Sequence, residues 1–443
     1  MGKRATLNES VREDRPTGMA TPAGDMRAAK AAGSAPAGRL LFMRLFVPFA
    51  LGYFLSYLFR NINAVIAPQL TAEFGLNAAS VGLLTSVYFL AFAGMQIPIG
   101  LMVDRFGPRR VQAGLLLIAA VGALLFGLGR TMAELAFARG LIGAGVAGSL
   151  MVAFSAFVIW LPAERVPAAS GFLMAFGGLG AFAAGAPTES FIGAGGSWRD
   201  LFMGLAGVTV AVAAVVFLTV PDRARPGGTK LRELLAGLGK VYTDRVFWRV
   251  APLSIASLGT GFALQGLWAG PWLTQVAHRD AHTAGVQLSV MAVALLCGSA
   301  TCGPIAAAAT RLGFSLFQAV AVLGLVFIAA LTGLMLQWID GSLYLWATLA
   351  FLTNPMAITY LALSQRFDPG MAARVSTGIN ALVLVGSFLI QWLVGRVIAL
   401  WEPITPGVYP PEAFRVSFAL VLGCVVLAWL WYVASLAIER RRT

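Results

Sequence analysis

Histidine and cysteine are nearly missing from this chain, which has two and three of them in 443 residues. Cys297 and Cys302, five residues apart, point about 140° away from each other on a helix, so neither a disulfide nor a shared ligand site is favoured; with Cys424 they read as packing thiols. His278 and His282 fall in one short polar stretch outside any apolar run, which reads as an exposed connector rather than a metal site. Acidic residues number 19 against 32 basic ones, and none lies in the middle of a long apolar stretch; Asp104, Glu134 and Glu189 stand at the ends. That scarcity excludes a buried carboxylate proton relay and a negative cavity for cationic drugs. No histidine, carboxylate and nucleophile are grouped within an apolar stretch, so neither an enzyme site nor a cofactor is expected.

What fills the chain instead is hydrocarbon. Hydrophobic residues make up 58% and charged residues 12%, with a mean hydropathy of +0.80, outside the range of soluble domains. A helix crosses a bilayer in about 20 apolar residues, and windows of that size recur twelve times: roughly 43–69, 80–101, 111–129, 132–158, 168–189, 200–220, 250–273, 285–309, 314–336, 342–364, 375–399 and 414–437. The fold class is therefore all-α integral membrane. The 50 glycines fit, because small residues let membrane helices approach closely, as Gly140, Ala144 and Gly148 would in one row.

The net charge of +13 is a topology signal. Basic residues concentrate before Arg44, over 105–110, over 223–249 and at Arg440–Arg442, which places both termini in the cytoplasm of a bacterial inner membrane and requires no nucleic acid. The expected organisation is a disordered cytoplasmic tail (1–39), a six-helix half (40–220), a cytoplasmic linker carrying a short interfacial helix (221–249), a second six-helix half (250–437) and a short tail (438–443). The halves repeat: Ala67–Thr71 lines up with Gly270–Thr274, Asp104–Gly107 with Thr310–Gly313, and Trp198–Phe202 with Phe414–Phe418. Twelve helices in two pseudo-symmetric halves place a binding site between them near the midplane.

One full charge sits inside the first window. A guanidinium in hydrocarbon costs roughly 2.5–3.5 kcal/mol on insertion scales, so Arg60 is expected to face protein or a wet cavity. Tyr53, Ser56, Tyr57, Arg60 and Asn63 share one side of the helix. Where the repeat would place a second Arg60 stands Ala263; Gln265, Trp268 and Trp272 lie nearby, and Asn354 and Asn380 extend that wall or serve helix packing. Arg139, in the fourth window at a similar depth, either shares the cavity of Arg60 or is held by backbone carbonyls.

Between the second and third windows stands GLMVDRFGPRR, where the chain must turn within a few residues beside itself, which suits Gly107 and Pro108. Asp104 there can accept hydrogen bonds from a neighbouring helix N-terminus. The pattern Gly100, Asp104, Arg105, Gly107, Arg109, Arg110 resembles the loop between helices 2 and 3 of the major facilitator superfamily. There the loop latches the two halves in one access state, which implies a gating role for these residues. Arg139 in RGLIGAGVAG is similar to a second pattern of that superfamily. The segment YLFRNINAVIAP resembles helix 1 of its organophosphate:phosphate antiporters and anion:cation symporters, where an Arg contacts the anion; the resemblance assigns that contact to Arg60. The Gly-Pro with following Gly-Gly of drug/proton antiporters is missing from the fifth window, and the organophosphate carriers' second Arg has no counterpart among 254–272.

A cation without acidic company pairs with a carboxylate or oxyanion. The expectation is a monomeric secondary transporter of a small, monocarboxylate-like anion working by alternating access. Substrate contacts are expected from Arg60, Tyr57, Asn63, Tyr53, Arg139, Gln265, Trp268, Asn354 and Asn380. Coupling to a proton or to a counter-anion is left open. The alternatives are a multidrug or metabolite exporter, which Arg60 disfavours, and a transporter-like membrane sensor.

Overall fold

Apolar runs separated by glycine, proline and charge dictate a bundle of long helices. A computed structural model of the chain describes residues 35–221, 231–367 and 371–440. Among these the regular structure is helical apart from an isolated bridge between Thr405 and Val408. Residues from Arg44 onward form one compact unit. Most of the expected tail lies outside the described residues; the first helix begins at Ala35, inside its expected end at 39.

Among the described residues eleven helices are long and apolar enough to span a bilayer. One of them, Ala78–Leu128, has 51 residues, about 77 Å at 1.5 Å per residue, more than twice the hydrocarbon thickness. It divides at Gly107, whose φ of 79° breaks the helix and which only glycine adopts without strain. Its halves are the second and third spans, so the eleven become twelve. In the linker the expected short helix is present as Leu231–Thr243. Leu238 and Val241 bury its apolar face, and Val241 joins the core of the second half with Phe247, Val250, Leu253, Val375 and Ile379.

The first, fourth, seventh and tenth spans all break near their middles. The first stops at Asn61 and restarts at Asn63; the fourth stops at Val146 and restarts at Ser149. The seventh widens into π-turns at Leu264–Trp268 and Trp272–Val276, and the tenth tightens into a 3-10 turn at Pro355–Ala357. Such breaks free backbone groups at membrane depth, which is tolerated only where protein or a cavity satisfies them. Span 5 breaks likewise between Ala183 and Ala186, and the cavity between the halves is lined by spans 1, 5, 7 and 8.

Candidate substrate-binding site

Arg60 ends the first segment of span 1, just before the break at Ile62, and is 7% exposed. Its guanidinium carbon lies 4.6 Å from the ring centre of Tyr57, 5.4 Å from Phe92 of span 2 and 5.0 Å from Phe262 of span 7. Rings from both halves thus converge on one charge. Each such contact contributes about 0.5–2 kcal/mol, which offsets burial. Among the described residues neither carbonyl nor carboxylate is bonded to the guanidinium; Nε is buried without a partner, and the hydroxyls of Tyr53, Tyr57 and Tyr88 are its polar neighbours.

Arg139 behaves differently. It is fully buried, and its Nη1 donates to the carbonyl oxygen of Phe59 at 3.0 Å. Its guanidinium also lies 5.1 Å from the Tyr88 ring centre, while Tyr88 hands its hydroxyl to the carbonyl of Ser56 at 3.2 Å. Arg139 and Tyr88 therefore brace the turn of span 1 that carries Arg60. Asn61 adds a third contact, from Nδ2 to the Tyr57 carbonyl at 2.8 Å.

Of the residues expected at the site, Tyr53, Tyr57 and Arg60 come together, with the Tyr53 and Tyr57 rings 5.1 Å apart. Gln265 lies on the facing span and lines, with Asn61, a cavity of about 20 Å³ between the halves, room for roughly one water. Their donors are spent elsewhere, Gln265 Nε2 on Thr353 Oγ1 at 3.3 Å and Asn61 Nδ2 on span 1 itself. Asn63 is fully buried and donates to Thr85 of span 2 at 3.0 Å, and the Trp268 indole donates to the Gln391 carbonyl at 3.0 Å. Asn354 donates to the Leu295 carbonyl at 3.3 Å and to Ser299 Oγ, so it joins spans 8 and 10. Asn380 accepts from the Tyr360 hydroxyl at 3.5 Å. Tyr88, Phe92 and Phe262 belong to the arginine cluster without having been singled out in the sequence. Tyr88 and Phe92 stand four apart on one helix face, a spacing that could have suggested them.

Residues 49–391 match the profile of the Major Facilitator Superfamily. The chain belongs to that superfamily. Superfamily members are transporters rather than enzymes, and several relatives bear the names of anion carriers. The probable sulfoacetate transporter SauU of Cupriavidus necator is 33% identical over 186 residues, 41% of this chain and 43% of that protein. A nitrate/nitrite transporter of Nostoc punctiforme is 32% identical over 178 residues, 38% of this chain and 34% of its own length. The hexuronate transporter of Escherichia coli is 25% identical over 218 residues, covering 45% and 50%. The chain thus spans about half or less of the length of these relatives. Among solved structures, a bacterial homologue of the human lysosomal transporter Spinster, inward-facing and unoccupied, superposes with a TM-score of 0.74 at 19% identity, over 90% of this chain and 97% of that one.

The superfamily loop of Gly100–Arg110 lies around the kink at Gly107. Arg105 rests on Phe106, 5.2 Å from its ring centre, and Arg109 reaches Phe217 of span 6, 5.1 Å away.

Proposed function

We propose that this superfamily member carries a small organic or inorganic anion across the membrane, and that Arg60 is the group that pairs with it. The observation that carries this reading is the Arg60 guanidinium, buried among three aromatic faces drawn from both halves, with no carboxylate bonded to it among the described residues. Aromatic faces hold a cation yet leave its planar fork of N–H groups free, and that fork fits a carboxylate, sulfonate or nitrate. The names of the relatives, with sulfoacetate, nitrate/nitrite and hexuronate among them, support the same class.

Tyr53, Tyr57 and Gln265 are the remaining side chains in this reading, with Gln265 reaching from the second half. Arg139 acts on span 1 rather than on the solute. Asp104 and Arg105, on the loop around Gly107, take part in gating as the halves rock. The carrier resides in a bacterial inner membrane with both termini inside and acts as a monomer, moving the anion with a proton or against a second anion.

Counter-flow in proteoliposomes tests this directly. Preloaded sulfoacetate, glycolate or nitrate is expected to drive uptake of the labelled form of the same anion in wild-type protein and not in Arg60→Ala. Binding without exchange would indicate a sensor, and Arg60-independent exchange would overturn the assignment.

A further inference from the structure

At the end of the bundle away from the chain termini, the two halves close on each other through backbone. A Cβ on Gly270 of span 7 would come within 2.2 Å of the Ala64 carbonyl oxygen of span 1. One on Gly395 of span 11 would come within 2.5 Å of the Ala78 carbonyl oxygen of span 2, and one on Gly185 of span 5 within 2.9 Å of the Ser289 nitrogen of span 8. Two of these three seams also carry a hydroxyl of the second half bonded to backbone of the first. Tyr409 Oη accepts the N–H of Ala78 at 3.0 Å. Ser289 Oγ accepts the N–H of Ala186 at 2.8 Å and donates to the Phe182 carbonyl at 3.2 Å.

The two N–H groups so bonded have no ready partner of their own, whereas the Phe182 carbonyl also accepts the Gly185 N–H at 3.0 Å. Ala78 is the first residue of its helix and Ala186 the first after the break in span 5, and first-turn N–H groups have no intrahelical acceptor. Tyr409 is itself held in place: Gln275 of span 7 accepts the Tyr409 N–H at 2.9 Å and donates to the Gly407 carbonyl at 3.1 Å. The Ile404 N–H closes the turn onto the Val408 carbonyl at 2.8 Å. Gly407, at φ 80°, packs so tightly on Thr71 that a Cβ would lie 2.3 Å from its methyl. The loop between spans 11 and 12 is thus a strap fastened to span 7 and laid over the ends of spans 1 and 2.

We propose that the hydroxyls of Tyr409 and Ser289 are the two clasps that set how often this face opens, whatever solute is carried. Opening must hand the N–H groups of Ala78 and Ala186 to water. Among the described residues no ion pair bridges the halves at this face, so the clasp is neutral and its strength does not follow ionic strength.

Tyr409→Phe and Ser289→Ala each remove only an oxygen. In protein whose three cysteines are replaced by serine, a reporter Ala181→Cys lines the small cavity behind the seal. A membrane-impermeant maleimide added from the face away from the termini should label it faster, by roughly 3- to 10-fold for each variant and more for the pair. Adding 0.5 M NaCl should not change the wild-type rate. Labelling at the parent rate in both single variants would overturn the proposal.

A second measurement locks the contact instead of removing it, at the cost of a non-glycine residue at φ 80°. Thr71→Cys with Gly407→Cys places the two Cβ atoms about 3.4 Å apart, close to the span of a disulfide. Oxidation should arrest labelling of the reporter, and a reductant should restore it. A cross-linked protein whose reporter still labels at the parent rate would contradict the strap.

Discussion

Arg139 donates to the carbonyl of Phe59, the residue immediately before Arg60. Two buried arginines on neighbouring helices thus differ in one contact: Nη1 of Arg139 is bonded to backbone, while its Nε and Nη2, like Nε of Arg60, have no partner among the described residues. The difference follows from the break at Ile62, which loosens the helical hydrogen bonding of span 1 at that level.

If Arg139 positions rather than binds, a neutral donor should largely replace it. Arg139→Gln is expected to keep anion binding within about 10-fold of wild type, because a hydrogen bond to one carbonyl is worth about 0.5–1.5 kcal/mol net. Arg139→Leu leaves that carbonyl facing hydrocarbon and should lower the melting temperature. Thermal-shift titration of both variants with sulfoacetate or nitrate checks this.

At Arg60, keeping the charge should not be enough. Lysine cannot reproduce the planar fork, so Arg60→Lys is expected to weaken anion binding about 10- to 100-fold while leaving the fold intact. That corresponds to about 1.4–2.8 kcal/mol, and isothermal titration in detergent measures it.

Much of the architecture was legible beforehand. Apolar runs of bilayer length located the spans, and Gly107 with Pro108 located the turn that divides the 51-residue helix. Arg60 stood out because a cation inside hydrocarbon always requires an explanation. The roles of the two arginines were not legible: both have the same chemistry at similar depth, and the break that separates them falls at Ile62, where neither Gly nor Pro marks it. Phe92 and Phe262 were hidden among 29 phenylalanines, since a ring that covers a charge looks in sequence like a ring that faces lipid.

An ion pair inside the first half, between the ends of spans 1 and 6, gives a pH-dependent prediction. Glu73 accepts from the Trp198 indole at 2.8 Å and from Arg199 Nε at 3.2 Å, while Arg199 Nη1 also donates to the carbonyls of Gly127 and Gly129, both at 2.8 Å. Slight burial pushes the Glu73 carboxyl upward, but the hydrogen bonds from Arg199 and Trp198 and the Arg199 charge outweigh it and hold it below its ordinary value. A lowered carboxyl contributes stability that is fully present above the unfolded value near 4.5 and is lost as the pH falls through the folded one. Glu73→Gln should therefore cost at most about 1 kcal/mol at neutral pH. It should also flatten the fall in melting temperature below pH 4.5 relative to wild type.

Glycines inside one half and glycines between halves should fail differently. Gly145 packs span 4 on span 3, where a Cβ would meet the Ala119 nitrogen at 2.3 Å, so Gly145→Val should cost roughly 1–3 kcal/mol of overpacking and deplete folded protein. Gly270→Val pushes instead on the seam between spans 1 and 7. It is expected to yield folded protein with a normal melting temperature and reduced exchange, read by fluorescence-detected size exclusion and counter-flow.

The central claim is that a ring-covered Arg60, with neither carbonyl nor carboxylate bonded to it among the described residues, selects an anionic cargo. Its most direct test is thermal-shift binding of sulfoacetate, glycolate and nitrate to purified wild-type and Arg60→Ala protein, set beside a neutral sugar and a lipophilic cation. The account predicts a saturable shift with at least one anion that disappears in the variant, and none with the sugar or the cation. A shift by the cation, or an anion shift of the same size in Arg60→Ala, would contradict it.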